Sequence, residues 1–212
     1  MDKQKIDIFW KKRTAVSDPR IATHYKHDDC LRFDIALVKK FSQPYSHVLD
    51  LGSGTCAISN IILDDVGSIT AVEKQKEFFR FCRNSPKLKR ISCDILDFHD
   101  EESYDLVLLF GVSNFITYDE SVLLYERVAK LLLKKSGVFI AKHACGVNEE
   151  VIIDTFSETV GDTYHARYPY FQSEEKLLKR FFKKVEVIDI YPKRLNPWNN
   201  THYYAFICTD PF

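Results

Sequence analysis

The sequence predicts an α/β fold: a mostly parallel sheet with helices on both faces. Three observations lead there. From residue 47 onward, short apolar runs alternate with segments of helical periodicity, and that alternation builds a parallel sheet. The run Tyr104 to Phe110 is apolar enough for a strand covered on both faces. The stretch His47-Val48-Leu49-Asp50-Leu51-Gly52-Ser53-Gly54-Thr55-Cys56-Ala57-Ile58-Ser59 reads as strand, tight glycine turn and helix. Glycine serves where a chain turns sharply or a ligand nears the backbone. At the carboxyl end of a parallel strand, such a turn is where open α/β sheets bind nucleotide-like ligands.

In chain order, residues 5–45 read as helical and as a cover for that site. Ile6, Ile8, Phe9 and Trp10 form a first apolar group, and Asp18-Pro19 interrupts it. Asp28 to Phe41 reads as a helix, with Asp28 and Asp29 at its start and Lys39 and Lys40 at its end, as the helix dipole favours. Between these pieces, residues 20–27 form a polar loop containing His24, Tyr25 and His27, and such loops often carry function. Strands are expected at 48–51, 68–72, 88–93, 104–110, 137–143, 185–191 and 202–208. Helices are expected at 55–63, 76–84, 119–133, 148–160 (ending at Gly161) and 173–182, the last with Ser173 near a capping position. The last two strands are joined by a short segment without helical character, which predicts an antiparallel hairpin.

The 212 residues suit one domain, with 1–45 as a helical cap and 46–212 as the core. Thirty basic and thirty acidic residues balance, so no global field draws polyanions, and nucleic acid is a disfavoured substrate. The six cysteines show no C-x-x-C pair and no zinc-type spacing, and read as scattered reduced thiols, several in the core. The charged amino terminus lacks the apolar segment of a signal peptide, and no run is long enough to span a membrane. A cytoplasmic location is the expectation; an oligomeric state is not legible.

Glu73 lies 19 residues past Gly54, at the end of the second strand, where an acid hydrogen-bonds ribose hydroxyls. The acid before the glycines, Cys56 after them and the closing hairpin count against NAD. At these residues the chain resembles the class I S-adenosylmethionine (SAM)-dependent methyltransferases. Val48 to Thr55 is similar to their first motif, and Glu73 stands at their ribose position. Cys93-Asp94-Ile95 is similar to their third motif, Tyr104 to Phe115 to their fourth, and Leu131 to Ile140 to the lead into their fifth strand. The resemblance covers residues 45–145 most fully. It implies a Rossmann-like three-layer α/β/α sandwich with a seven-stranded sheet whose last strand is antiparallel. It further implies that Gly52 and Gly54 pack against the methionine part of SAM, that Asp50 holds the turn by hydrogen bonds, that Asp94 meets the adenine amino group, and that Ile95 and Phe110 complete the donor site. S-adenosyl-L-homocysteine would be the product.

Methyl transfer is an in-line displacement that needs alignment and exclusion of water. A hydroxyl acceptor benefits from a general base, usually His. His143, at the end of the fifth strand, is the first candidate; the alternative is a histidine simply hydrogen-bonded at a strand end. His24, His27, His165 and His202 are weaker candidates. The fourth strand ends in Phe110-Gly111, without the Asp that metal-dependent members place there, so no metal is expected. The tetrapeptide typical of base amino-group methylation is absent; Ser113-Asn114-Phe115 stands in its place. Asn114, His165, Arg167, Tyr168, His24 and Tyr25 are candidate acceptor-binding residues. Residues 164–171 and 191–204 mix aromatics with His, Arg and amide groups. That suits a sugar first; the same composition could also form a partner surface or stack RNA bases. The reading is a SAM-dependent methyltransferase acting on a small hydroxyl-bearing acceptor, with a sugar or glycan precursor as one class. The alternatives are RNA or protein methylation, or a non-catalytic SAM-binding subunit.

Overall fold

A computed structural model describes residues 2–23, 28–157 and 162–212. Three helices come first: α1 (Lys3–Arg13), α2 (Pro19–Ala22) and α3 (Asp28–Phe41). Asp2 and Asp18 cap the first two through their side chains, each satisfying backbone N–H groups that a helix start leaves unpaired. Then strands and helices alternate: β1 (His47–Leu51), α4 (Ala57–Ile62), β2 (Ser68–Val72), a 3-10 segment at Lys76–Phe81, β3 (Leu88–Ile91), β4 (Tyr104–Phe110), α5 (Tyr118–Arg127) and β5 (Leu133–Gly146). Thr117 and Glu120 close α5 with a capping box. The chain ends with β6 (Val151–Ser157), β7 (Asp162–Tyr168), α6 (Phe171–Leu178), β8 (Phe182–Asp189) and β9 (Thr201–Pro211).

Seven strands form one sheet in the order β3-β2-β1-β4-β5-β9-β8. All pairs are parallel except those of β9, which runs antiparallel to both β5 and β8. The chain steps outward from β1 to β3, then returns to lay β4 on the other side of β1. That reversal opens a crevice at the carboxyl ends of β1 and β4, where α/β sheets bind ligands. The two faces carry separate cores. Leu49, Leu51, Val107, Leu109, Phe139, Ala141 and Phe206 pack with α5 and α6. Val48, Leu106, Leu108, Ile140, Ala205 and Ile207 pack with α3 and α4. Odd-numbered residues of β5 therefore face one layer and even-numbered residues the other, as the period of a strand requires.

Three expectations are corrected. Residues 148–160 do not form a helix: β6 pairs with β7 as an antiparallel two-stranded sheet, from Val151 opposite Tyr168 to Ser157 opposite Asp162. Val151, Ile152, Ile153, Thr155 and Phe156 are β-branched or aromatic and favour a strand once a partner exists. Ser173 lies inside α6, whose start at Tyr170 has no side-chain cap. The cysteines are not all thiols: Cys56 and Cys82 are joined by a disulfide, while Cys30, Cys93, Cys145 and Cys208 are free. No helix among the described residues is long and apolar enough to cross a membrane.

Candidate active site

The glycine turn leaves β1 through two residues in left-handed conformation, Gly52 (φ +73°) and Gly54 (φ +52°). Both are packed from outside. A Cβ on Gly52 would stand 2.4 Å from Val112 Cγ2, and one on Gly54 2.9 Å from Thr23 Cγ2. Gly52 N and Ser53 N donate to the Val72 carbonyl at 2.8 and 2.9 Å. Gly54 N donates to Glu73 Oε2 at 2.9 Å, and Gln75 N donates to Glu73 Oε1 at 2.7 Å. The turn is thus held by Glu73 and the end of β2. This corrects the expectation for Asp50, whose buried carboxylate instead accepts from Ser59 Oγ on α4 at 2.5 Å. Burial pushes the Asp50 carboxyl up to about 6, with the Ser59 bond opposing. Glu73 is raised as well, chiefly by burial, against the backbone N–H groups it accepts.

Around the turn opens a cavity of about 1240 Å³. Ligand sites usually enclose about 300–1,000 Å³, so this one has room for a nucleoside-sized donor and a second small molecule. The half nearest the turn is lined by Asp50, Gly52, Gly54, Glu73, Asp94, Ile95 and Phe110. Lys74 links this edge to the cap: its ammonium pairs with Asp7 of α1 at 2.7 Å and with Asp94 at 3.2 Å. The other half is walled by aromatics, including Trp10, Phe115, Tyr164 and Tyr168. Trp10 meets Phe115 edge-on at 5.1 Å, and Phe115 meets Tyr164 at 5.8 Å, so α1 and β7 close over the chamber. A buried acid at the end of β2, a second acid in the loop after β3 and a turn too tight for side chains suit a ribose, an adenine and an amino-acid tail.

Residues 42–186 match a family model described as a methyltransferase domain. The chain belongs to the class I SAM-dependent methyltransferases. A curated relative, the ribosomal protein L11 methyltransferase of Dictyoglomus thermophilum, is 23% identical over 160 residues, covering 73% of this chain. This chain spans 51% of that relative. Among solved structures, it is similar to phosphoethanolamine N-methyltransferase 1 of Haemonchus contortus, in complex with phosphoethanolamine and S-adenosylhomocysteine. That likeness has a TM-score of 0.74 at 14% identity, covering 98% of this chain and 49% of that one. It is also similar to the 1,6-didemethyltoxoflavin-N1-methyltransferase of Burkholderia thailandensis, with a TM-score of 0.73 at 15% identity, covering 99% of this chain and 92% of that one. Glu73, Asp94, Ile95 and the turn from Gly52 to Gly54 all line one half of the cavity.

The acceptor candidates divide. Tyr168 and Asn114 line the cavity. The Asn114 amide is engaged by backbone, however: Nδ2 donates to the carbonyls of Ala144 (2.7 Å) and Arg167 (2.9 Å), and Oδ1 accepts from Ala144 N (3.2 Å). It ties the end of β4 to β5 and β7. His165 does not line the cavity and pairs with Asp154 across the β6–β7 sheet at 2.5 Å. Arg167 does not line it either, and its Nε donates to Glu150 at 2.7 Å. His202 pairs with Asp189 at 2.6 Å beside a separate small pocket. His24, Tyr25 and His27 lie outside the described residues.

His143 is corrected as a candidate base. It faces the α5–α6 layer, is fully buried, and stacks on Phe206 at 5.4 Å. Burial, aided by the charges of Arg167 and Lys142, pushes its imidazole down to about 3. Its Nε2 is 3.5 Å from Glu174 Oε1, but neither ring nitrogen makes a hydrogen bond. It is a neutral core histidine out of reach of the cavity. The neighbouring residue, Lys142, does reach the cavity, together with Tyr191, Tyr203 and Cys30. Sequence reasoning passed over Lys142; strand parity was the available signal, since 142 and 143 must face opposite layers. Among the described residues no group of three His, Cys, Asp or Glu side chains is placed to hold a metal ion.

Proposed function

We propose that this methyltransferase methylates a hydroxyl group of a small acceptor, with a sugar or glycan precursor as the leading class. The observation that carries this reading is the second half of the cavity. It is covered by α1 and the β6–β7 sheet, walled by Trp10, Phe115, Tyr164 and Tyr168, and rimmed by polar groups of Tyr191, Asn200 and Thr201. Such a chamber suits one compact molecule with an apolar face and a hydroxyl-rich rim, whereas a nucleic acid or folded protein needs an open approach. Glu73 and Asp94 would hold the donor by ribose and adenine, and the glycine turn its amino-acid end. The covering elements exclude water and align the acceptor with the methyl group, which is the main requirement of an in-line displacement.

The test is direct. The protein is incubated with methyl-labelled SAM and, separately, with polar small-molecule, RNA and protein fractions of its source cells. Label entering a small hydroxylated compound is the expected result. Label entering RNA or protein instead refutes the small-acceptor reading, and failure to bind SAM in calorimetry refutes the donor assignment.

A further inference from the structure

Lys142, Asp34 and Tyr191 come from β5, α3 and the segment after β8, and they meet at one point on the cavity wall. Lys142 Nζ donates to Asp34 Oδ2 at 2.8 Å and to Tyr191 Oη at 3.0 Å. The Tyr191 hydroxyl donates to Asp34 Oδ1 at 2.9 Å. Asp34 has no solvent exposure, and the Lys142 side chain is 5% exposed. The ammonium lies 5.3, 5.4 and 5.5 Å from the ring centres of Phe110, Tyr191 and Tyr203, a distance at which aromatic faces attract a cation. The surrounding layer is apolar. A buried ion pair there adds little stability over well-packed apolar side chains.

Its position is specific. Phe110 ends β4 beside the half nearest the turn, and Lys142 faces that ring. Tyr191 and Lys142 line the cavity, whereas Asp34 stands behind them and does not. A tyrosine of the cavity wall thus has its hydroxyl bonded to both a carboxylate and an ammonium.

We infer that Tyr191 takes the proton from the acceptor hydroxyl during methyl transfer, with Asp34 as that proton's next station and Lys142 as the group that positions both. The inference rests on the hydroxyl-acceptor reading above. As the acceptor oxygen bonds to the methyl carbon, the carbon–sulfur bond breaks and its electron pair returns to sulfur. The acceptor's proton passes to the Tyr191 oxygen while the tyrosine's own proton moves along its hydrogen bond to Asp34 Oδ1. Tyr191 ends as a phenol and Asp34 as a carboxylic acid, whose proton returns along the same hydrogen bond through Tyr191 to water that enters the chamber once the products leave. Lys142 stays protonated and offsets charge on the phenol oxygen throughout. Tyr191 is the catalytic residue; Asp34 and Lys142 act through it. Among the described residues, further titratable or charged groups near the cluster include Cys30 from α3, Tyr203 from β9 with Tyr168 of β7 beside it, and the Asp29–Arg194 pair. Burial, with Asp34 adding, raises the Cys30 thiol, and burial raises the Tyr168 phenol.

The test compares wild type with Tyr191→Phe and Asp34→Asn, using labelled SAM and a panel of nucleotide-linked hexoses together with the polar small-molecule extract. Calorimetry with SAM and thermal unfolding run alongside. General-base catalysis contributes about 10²–10⁴-fold, so Tyr191→Phe should lower kcat at least about 100-fold, with the Kd for SAM and the KM for the acceptor within about threefold of wild type. Asp34→Asn should also lower kcat and remove the solvent deuterium isotope effect on the turnover that remains, which a purely structural role would leave in place. Should Tyr191→Phe fail to fold, the isotope effect in Asp34→Asn decides. Oxygen methylation that continues within about threefold in Tyr191→Phe, or an unchanged isotope effect in Asp34→Asn, overturns the relay and leaves the hydroxyl reading standing. Label found on nitrogen, or on no acceptor while SAM binds, overturns the hydroxyl reading and the relay with it.

Discussion

Replacing Asp50 with Asn should stabilise the free protein near neutral pH while weakening its hold on SAM. Asp50 is 3% exposed, and its carboxyl is pushed up from 3.8 to about 6 by burial. A carboxyl raised on folding contributes stability that is fully present below its unfolded value and is lost as pH rises through its folded value. At about 1.4 kcal/mol per pH unit, the shift corresponds to roughly 3 kcal/mol, lost by wild type between about pH 4 and pH 7. The Asn variant has no charge to desolvate, and its amide oxygen can still accept from Ser59. The stability difference, variant minus wild type, should therefore grow by about 3 kcal/mol from pH 4 to pH 7. The repulsion that Asp50 exerts on Glu73 should fall too. Urea unfolding of both proteins at half-unit pH intervals measures the difference, and calorimetry on the same samples measures SAM affinity. Parallel pH–stability curves would refute the reasoning, because the desolvated charge would then not reside on Asp50. An unchanged SAM affinity would remove any reason for keeping a costly acid there.

Glu73→Gln keeps the shape of the side chain but can accept only one of the two N–H bonds from Gly54 and Gln75. Loss of a charge-assisted bond is worth about 1.5–3 kcal/mol, so SAM affinity should fall about 10- to 100-fold in calorimetry; a change under threefold removes Glu73 from the ribose site. Asn114→Ala leaves the Ala144 N–H and the Ala144 and Arg167 carbonyls short of partners, and should lower unfolding free energy by about 2–4 kcal/mol in denaturant titrations. Cys82→Ser opens a loop of 26 residues, which should cost about 3 kcal/mol. Dithiothreitol should lower the unfolding midpoint of wild type by the same amount and leave the variant unmoved.

The half of the cavity around the glycine turn was legible because its signals are local. An acid, two glycines and a following helix lie within one strand–turn–helix unit, and Glu73 and Asp94 close the next two strands. Their side chains reach the cavity through backbone geometry that a short window contains. The acceptor half is assembled from distant segments, and there the reading failed in identifiable ways. Val151 to Phe156 has apolar residues at spacings that serve a helix or a strand, and only its pairing with residues 162–168 decides. Cys56 and Cys82 become partners because β2 and the 3-10 segment fold back onto α4, which no spacing rule encodes. His165 and Arg167 looked available because Asp154 and Glu150, which pair with them, sit across a sheet the sequence reading did not contain.

The choice between His143 and Lys142 shows what a strand end can and cannot say. Both lie at the carboxyl end of β5, so proximity to the crevice does not separate them. Parity does: Phe139 and Ala141 face the α5–α6 layer, and His143 must follow them, while Ile140 commits Lys142 to the α3 layer. Chemistry then sharpens the distinction. An imidazole among apolar rings sheds its charge and becomes a quiet core residue. An ammonium among aromatic faces demands a counter-charge, and Asp34 supplies it from behind the chamber wall while the Tyr191 hydroxyl accepts a second hydrogen bond. Imidazole basicity was the wrong guide at this strand end; the side that each residue faces is the one that fixes where a proton can go.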